Sequence, residues 1–516
     1  MKRIITFLLY TLPVIIFFSY YPVIPLGTSS STNFELSLPI IWLILFFCAT
    51  IIYLPRIIKF YQWRKMILIA ALPLYATLSI LWSPNHLRAF LTAGLLALTF
   101  YSAATIIYLL KAKDSPLQPV KHLTKNLIKT FLIATVAICI ICWLQCVLDI
   151  AGLGRDFTAL CLGCTYTLFG FPHPSGFAIE PQFMGNLLLA PTLLTLYLAT
   201  KSEKKSKTRL CFTLLAFFFV ATLFLTFSRG AIYAFALGLV AIIIYAVVKR
   251  FFSWRLVLIP IAAFACTLCA QGLFAQISPT NDTFASGVAK VIHHLSLGKI
   301  DLRDANGDDG WRDVSSQGQS GFVSSEMYIP DGAAKDSQGL SGAPSGMTSK
   351  ASKSSGEEIS RQDPSQDAAT GPATLGRSVF DGYVEDSTNI RVNLTNDALD
   401  IWNNSPANIL FGTGLGSAGT VLYENHKTSS PKEIVQNQYA SLLLELGLVG
   451  IILAAAVVIF TVKAFTTNQK SAPVLVPLVI AYAATLFFFA GLPNALQIYL
   501  LPPLLYVCLN RLRPYS

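Results

Sequence analysis

The sequence predicts an all-α integral membrane protein of about 12 transmembrane helices, with a large extracytoplasmic loop between helices 9 and 10. The composition is the first reason: of 516 residues, 54% are hydrophobic and only 13% are charged, whereas soluble domains carry about 25% charged residues. The second is that apolar runs of about 20 residues, long enough to cross a hydrocarbon core, recur along most of the chain. The third is the alternation of basic loops described below.

Hydropathy divides the chain into three parts. Residues 1–275 contain predicted helices 1–9, residues 276–439 form the long loop, and residues 440–516 contain helices 10–12. The N-terminal apolar run has a basic flank, as signal peptides do, but no small-residue cleavage site closes it before Tyr21, so we interpret it as a retained first helix. The predicted spans are 4–24, 36–55, 66–82, 87–110, 127–150, 183–200, 210–227, 231–248, 255–275, 440–463, 472–491 and 494–510.

Lysine and arginine residues mark alternate short loops. The basic excess lies in four alternate loops, those after helices 2, 4, 6 and 8, and at both termini. Because basic loops stay in the cytoplasm, this pattern predicts cytoplasmic N and C termini and an extracytoplasmic long loop. The short outer loops carry only Arg88, Arg155 and Arg229.

The charge balance argues against nucleic acid as a partner. The formal net charge is +11, but residues 276–439 contain 12 Lys and Arg residues against 20 Asp and Glu residues. The basic excess therefore lies in the short loops of the membrane part, where it sets topology.

The long loop has two kinds of sequence. Residues 315–376 are dominated by Ser, Gly, Asp, Gln, Ala and Pro, a composition that predicts a disordered insertion. Residues 378–438 regain a helical spacing of apolar side chains, which predicts a small helical subdomain. The spaced residues are Ile390, Leu394, Ala398, Leu399, Ile401 and Trp402.

No metal or cofactor site is predicted. Cys161 and Cys164 lie in an outer loop, where a disulfide or two thiols fit better than a metal that needs four ligands. His293 and His294 are adjacent, an arrangement poorly suited to sharing one metal, and we expect them at the surface.

One arginine interrupts the apolar stretch "FLTFSRGAIYAF". Arg229 falls in a short turn between helices 7 and 8, on the predicted outer side. It fits two interpretations: a side chain that reaches lipid phosphate, or a fixed anion site whose guanidinium donates two hydrogen bonds to phosphate. A second arginine on the same side, Arg391, begins the amphipathic segment of the long loop.

Further polar residues accompany these arginines. The loop "FPHPSGFAIEPQFMGN" offers His173 and Glu180, the latter directly before Pro181 at the start of helix 6. Glu180 could accept a proton or bind a sugar hydroxyl. Glu445, in helix 10, is costly in lipid and is expected to find a donor inside the bundle, as a packing contact. The glycines of "FGTGLGSAG" are expected to permit a tight turn or a close backbone approach.

Three motifs in order carry a family resemblance. They are "TFSRGA", the segment from Arg391 through Trp402 and Pro406 to "GTGLG", and "QN" followed by nine residues and "GLVG". Together they resemble the O-antigen ligase and polymerase superfamily of bacterial envelope proteins. The resemblance implies a GT-C-like fold in the bacterial cytoplasmic membrane. It also implies metal-independent transfer of a glycan from undecaprenyl diphosphate, without a cofactor, by a polysaccharide ligase or polymerase of the glycosyltransferase type.

The resemblance also implies residue roles. Arg229 and Arg391 would bind the diphosphate. The ligase pattern begins its last motif with a histidine, but Gln436 stands there and glutamine is not a base, so Glu180 or His426 would deprotonate the acceptor. The candidate substrate-binding residues are His173, Gly414, Gly416, Gln436 and Asn437.

Several alternatives stay open at this point. The missing histidine moves weight from a ligase toward a polymerase. The acceptor is a glycan, a lipid or a protein, and membrane lipids are the surrounding partners. A multi-pass transporter or flippase of a lipid-linked or anionic substrate also fits about 12 spans, although transporters place ionisable groups near the midplane. A structural or assembly protein that binds a partner through the long loop is the third reading.

Overall fold

The computed structural model describes residues 1–19, 22–28, 33–118, 121–151, 171–201, 207–278, 283–297, 299–300, 302, 379–467, 470–489 and 495–511. The predicted insertion at 315–376 and the two cysteines Cys161 and Cys164 lie outside these residues. The described residues are mostly helical, as the apolar runs predict.

Helices α1 to α10 lie before most of the long loop. Their bounds are α1 Lys2–Ile15, α2 Leu38–Thr50, α3 Leu54–Tyr61, α4 Trp63–Leu78, α5 His86–Lys111, α6 Lys121–Ile150, α7 Pro181–Lys201, α8 Lys207–Leu225, α9 Arg229–Val248 and α10 Arg255–Ile277. The remaining helices are α11 Phe284–Leu295, α12 Val379–Asn403, α13 Pro406–Phe411, α14 Ala418–Glu424, α15 Gln438–Thr466, α16 Ala472–Thr485 and α17 Leu496–Arg511.

Within the described residues, nine helical segments are long and apolar enough to cross a membrane. They match nine of the predicted spans, and they indicate a multi-pass membrane protein. The other three predicted spans correspond to shorter helices: α1 has 14 residues, α16 has 14 and α17 has 16.

The N-terminal segment differs from the prediction. Helix α1 ends at Ile15, and the chain then forms an antiparallel hairpin of β1 (Val23–Thr28) and β2 (Asn33–Ser37). The last residues of the predicted first span, 23 and 24, thus lie in a strand. The first predicted helix is therefore too long, and the fold contains a small strand pair beside its helices.

Hydrogen bonds show which helix ends lie together. The backbone N–H of Gln438 donates to Leu486 O at 2.9 Å, which joins the start of α15 to the end of α16. The side-chain amide of Gln182 donates to Phe488 O, which brings the start of α7 to the same place. Gly230, beside Phe488 and Gln182, begins α9 there as well. We call this the Arg229 end of the bundle.

The opposite end collects the basic residues of the predicted inner loops. Lys111, the last residue of α5, donates through Nζ to the Tyr506 hydroxyl at 3.0 Å, and Arg511 donates to Lys111 O at 3.4 Å. The ends of α5 and α17 are thus adjacent. Other basic residues at helix ends of this side are Arg64, Lys65, Lys201, Lys207, Lys249 and Arg255.

Helix α7 is the centre of the bundle. Within its most apolar 18-residue window, 83% of the residues are buried, against 22% to 56% in the other eight candidate spans. Its polar side chains Asn186, Thr192 and Thr195 are fully buried. Helix α7 is therefore enclosed along most of its length, which fixes its position in the bundle.

The helices in the second half of the long loop form a small cluster with the start of α15. Helix α12 places apolar side chains against α14 and the first turns of α15. This is the helix predicted from the spacing of apolar residues, although Ile390 turns outward and is exposed. The buried members of the cluster are Leu394, Ala398, Ile401, Ala418, Val421, Leu422, Val435, Ala440 and Leu444.

Candidate functional site

The turn that carries Arg229 has a defined geometry. Helix α8 ends at Leu225, and α9 begins at Arg229 itself. Ser228 caps α9, since its Oγ accepts a hydrogen bond from Ala231 N at 3.3 Å. A cation in the first turn of a helix is repelled by the helix dipole, so Arg229 does not stabilise α9. An anion at this place would instead be attracted by both the guanidinium and the helix N-terminus.

Two glycines let neighbouring elements press against this turn. A Cβ atom on Gly185 of α7 would lie 2.6 Å from Ala231 Cβ and 3.1 Å from Thr226 Oγ1. A Cβ atom on Gly230 would lie 2.9 Å from Phe488 Cβ. The turn is therefore wedged between α7 and the segment that follows α16, which fixes the position of the Arg229 backbone.

Residues 171–180 form the second part of the site, a loop anchored at its middle. Gln145 of α6 binds Gly176 twice: its Nε2 donates to Gly176 O at 3.1 Å, and its Oε1 accepts from Gly176 N at 2.8 Å. Gly176 has φ +61°, a conformation that favours glycine. His173 lies on one side of this anchor and Glu180 on the other.

His173 contacts the arginine turn. Its Nδ1 lies 3.2 Å from Thr226 O, and its ring packs against Phe227 with centroids 5.9 Å apart. Burial lowers the pKa of His173 to about 3, and the nearby positive charge of Arg229 contributes to the same effect. His173 is therefore neutral at physiological pH and lies within the electrostatic reach of Arg229.

Glu180 links the same loop to the second arginine. Its backbone O accepts from Phe183 N at 3.1 Å in the first turn of α7. Burial raises the pKa of Glu180, and the positive charge of Arg391 on α12 offsets part of that rise. Arg391 is therefore close enough to act on this carboxyl electrostatically. One loop of ten residues thus approaches Arg229 through His173 and Arg391 through Glu180.

The glycine-rich turn joins the small cluster to the bundle. Gly412, Gly414 and Gly416 have φ values of +72°, +97° and +73°. Thr413 N donates to Leu444 O at 2.8 Å and Gly414 N to Glu445 O at 2.9 Å. The turn therefore docks on α15, at the place where Gly447 interrupts its helical geometry.

Glu445 takes part in that docking. Its Oε1 accepts from Ala418 N at 3.2 Å, and Gly416 N and Arg88 also lie close to its carboxyl group. Buried carboxylates need such donors. Glu445 therefore holds the glycine-rich turn in place, as expected of a packing contact.

A substitution at Gly414 tests this docking. A Cβ atom there would lie 2.5 Å from Ser83 Cα, and φ is +97°. We expect Gly414→Ala to lower the free energy of unfolding by about 2 kcal/mol or more, from backbone strain and overpacking together. Thermal unfolding of the purified protein measures this. Gly94→Ala is the control, because no atom lies within 4 Å of its Cβ position, and an unchanged Gly414→Ala protein would contradict the prediction.

The other predicted residues lie between α14 and α15. Asn437 caps α15, since its Oδ1 accepts from Tyr439 N at 3.1 Å and Ala440 N at 3.3 Å. Gln436 precedes it and is half-buried. His426 is exposed on a turn after α14, beside the ion pair of Lys427 Nζ with Asp397 Oδ1 at 3.0 Å. The described contacts join neither His426 nor the glycine-rich turn to Arg229 or Arg391.

The structure adds residues that the sequence did not indicate. His293 and His294, expected at the surface, are buried, as is Lys290 on the same helix α11. Helix α11 packs on α10 through Gly287, where a Cβ atom would lie 2.6 Å from Ala275 Cβ. Because this close approach sets the orientation of α11, Lys290 and His294, one and two turns later, face the bundle. The signal in the sequence was the spacing of Gly287, Lys290 and His294 along one helical face.

His294 completes the surroundings of the Arg229 turn. Its Nε2 lies 3.2 Å from Phe227 O, and its ring lies 5.5 Å from that of His173. Burial lowers the pKa of His294 well below its usual value, and the neighbouring His173 and Arg229 act in the same direction. Both histidines beside Arg229 are thus neutral.

No protein-family model matches this sequence, and a search of curated proteins found no match. The residues of the Arg229 end therefore carry the evidence for function.

Proposed function

We propose that this protein transfers or polymerises a glycan carried on a polyprenyl diphosphate, as the resemblance to the O-antigen ligase and polymerase superfamily implies. The observation that supports it is the approach of Arg229 and Arg391 to a single loop, 171–180, at one end of the bundle. Two guanidinium groups that approach one loop suit a ligand with two adjacent phosphates. The carrier in bacteria would be undecaprenyl diphosphate.

In this proposal the arginines act on the leaving group. The acceptor hydroxyl oxygen attacks the anomeric carbon of the donor, the bond from that carbon to the diphosphate oxygen breaks, and polyprenyl diphosphate leaves. Arg229 and Arg391 stabilise the negative charge that develops on the diphosphate. The resemblance implies that no metal is needed for this step.

Glu180 is the residue best suited to take the acceptor proton. It is buried beside Arg391, and burial raises its pKa, which makes its carboxylate a stronger base than an exposed one. His426 is exposed on a turn after α14, so it is the weaker candidate. The proton passes from the acceptor hydroxyl to the Glu180 carboxylate as the new glycosidic bond forms.

The side of the membrane follows from the charge distribution. Basic residues at the helix ends gather at the end opposite to Arg229. The positive-inside rule therefore favours an extracytoplasmic Arg229 end, with both termini in the cytoplasm of a bacterial cell. This is the face on which an assembled lipid-linked glycan would meet its acceptor.

The transporter alternative would need an ionisable residue within the bundle. Glu445, in α15, is the candidate for that role. Its carboxylate accepts the Ala418 N–H and holds the glycine-rich turn, a role that needs no transported ion.

Purified protein incubated with a defined undecaprenyl diphosphate oligosaccharide tests the proposal. We expect glycan transfer, with a ladder of products for a polymerase and one transferred block for a ligase. A donor with one phosphate in place of two is the control, and it should be transferred more slowly because one arginine loses its partner. Translocation of the intact donor across a vesicle membrane without any transfer would favour a flippase and overturn the proposal.

A further inference from the structure

Two histidines contact consecutive carbonyl groups of the turn before Arg229. His173 Nδ1 lies 3.2 Å from Thr226 O, and His294 Nε2 lies 3.2 Å from Phe227 O. A carbonyl oxygen only accepts hydrogen bonds, so the ring nitrogen that faces it must carry the hydrogen. The contacts therefore define the tautomers: His173 is protonated on Nδ1, and His294 on Nε2.

The carbonyl groups belong to a strained piece of backbone. Phe227 has φ +45°, a left-handed conformation that is unfavourable for a bulky side chain. Such a conformation persists only where the surroundings hold it. The two histidine N–H groups bind the residue itself and the one before it, so they hold the strained segment from both sides.

Aromatic packing makes this arrangement rigid. The Phe171 ring lies 4.6 Å from the His173 ring, 5.1 Å from the Phe227 ring and 5.6 Å from the His294 ring, measured between centroids. These four residues come from the loop 171–180, the turn and helix α11. The turn is therefore clamped between two elements that are separate in the sequence.

We propose that His173 and His294 are positioning residues, a pair of neutral hydrogen-bond donors that hold the Thr226–Phe227 turn and so fix the direction of Arg229. The inference rests on the proposed function only for the ligand of Arg229, the diphosphate. The hydrogen bonds and the strain that they hold are independent of any substrate.

Neutrality is part of the role. Burial and the charge of Arg229 lower the pKa of both histidines. An imidazolium at either position would place a second cation beside Arg229 and repel its guanidinium group. As neutral rings they donate to the turn and leave the positive charge to Arg229.

Amide substitutions distinguish this role from simple packing. The side-chain nitrogen of asparagine occupies the place of histidine Nδ1, and that of glutamine the place of Nε2. His173→Asn and His294→Gln therefore keep the donor in position, whereas His173→Gln and His294→Asn have the same polarity with the donor displaced. We expect the first two variants to transfer glycan within about 3-fold of the wild-type rate, and the last two to lose about 10-fold or more in kcat.

Two further measurements distinguish an effect on the turn and on Arg229 from a general loss of activity. Hydrogen exchange of the segment 224–235 reports on the turn alone, and we expect faster exchange only in the two variants with a displaced donor. In an Arg229→Ala background, the displaced donors should cause no further loss of transfer, because there is no guanidinium left to aim. A general folding defect would instead lower activity in both backgrounds.

The outcomes are distinguishable. If the Asn and Gln variants of each histidine have equal hydrogen-exchange rates and equal transfer rates, the histidine N–H groups do not hold the turn. If the displaced donors lower the transfer rate equally with and without Arg229, the two histidines do not act by orienting Arg229. If exchange differs as expected while Arg229→Ala leaves transfer unchanged, the clamp stands and the proposed function fails.

Discussion

Replacing Arg229 with alanine is expected to lower the rate of glycan transfer by about 10²- to 10³-fold, the cost of removing one donor to the charge that develops in a transition state. Arg391→Ala should have an effect of similar size. In the proposed mechanism both side chains bind one diphosphate, so the double variant should lose less than the two single losses multiplied together. Initial rates with a defined lipid diphosphate donor, measured on purified variants, give these values.

A matched control comes from the other end of the bundle. Arg255 is also the first residue of a membrane-spanning helix, α10, but it lies among the basic residues opposite to Arg229. Arg255→Ala should keep the wild-type rate. Arg229→Lys should remain poor, because an ammonium group lacks the planar pair of donors. Stably inserted Arg229→Ala and Arg391→Ala proteins that transfer at the wild-type rate would contradict the assignment of the diphosphate site.

Replacing Glu180 with glutamine is expected to lower the transfer rate by about 10²- to 10⁴-fold, the usual contribution of a general base. The wild-type rate should fall as the pH is lowered through the pKa of Glu180, because only the carboxylate accepts a proton. Burial raises that pKa, so the fall should occur above the ordinary glutamate value of about 4.3. The Glu180→Gln protein should lack this fall in its pH profile.

Arg391 offers a second test of the same carboxyl group. Its positive charge lowers the pKa of Glu180 against the effect of burial. Removing that charge in Arg391→Ala should therefore raise the pKa of Glu180 further. The transfer rate that remains in this variant should then begin to fall at a higher pH. His426→Ala is the comparison. A large loss in that variant, together with an unchanged pH profile in Glu180→Gln, would transfer the role of base to His426.

Much of the bundle could be predicted from the sequence. Apolar length and loop charge are local properties, and each span carries its own signal. Nine spans and the turn that contains Arg229 follow directly from them. Helix α12 was predictable for the same reason, because the spacing of Leu394, Ala398 and Ile401 already defines a buried face.

The residues that meet at the site were harder to predict from the sequence. Glu180 and Arg391 lie far apart in the sequence, and only the packing of α12 against the bundle brings them together. His293 and His294 had the appearance of a polar surface pair, yet the close approach at Gly287 turns their helix inward. At α1, the apolar run continues beyond Ile15, where the helix ends, so apolar length alone overestimated the span.

The attachments of α12 have a consequence for biosynthesis. Its buried side chains pack on α14 and on the first turns of α15, all of which follow it in the chain. Arg229 leaves the ribosome long before Arg391, and Arg391 acquires its supports only when α15 has been synthesised. The two arginines thus become a pair late in translation, so a nascent chain that stops short of α15 holds half of the site.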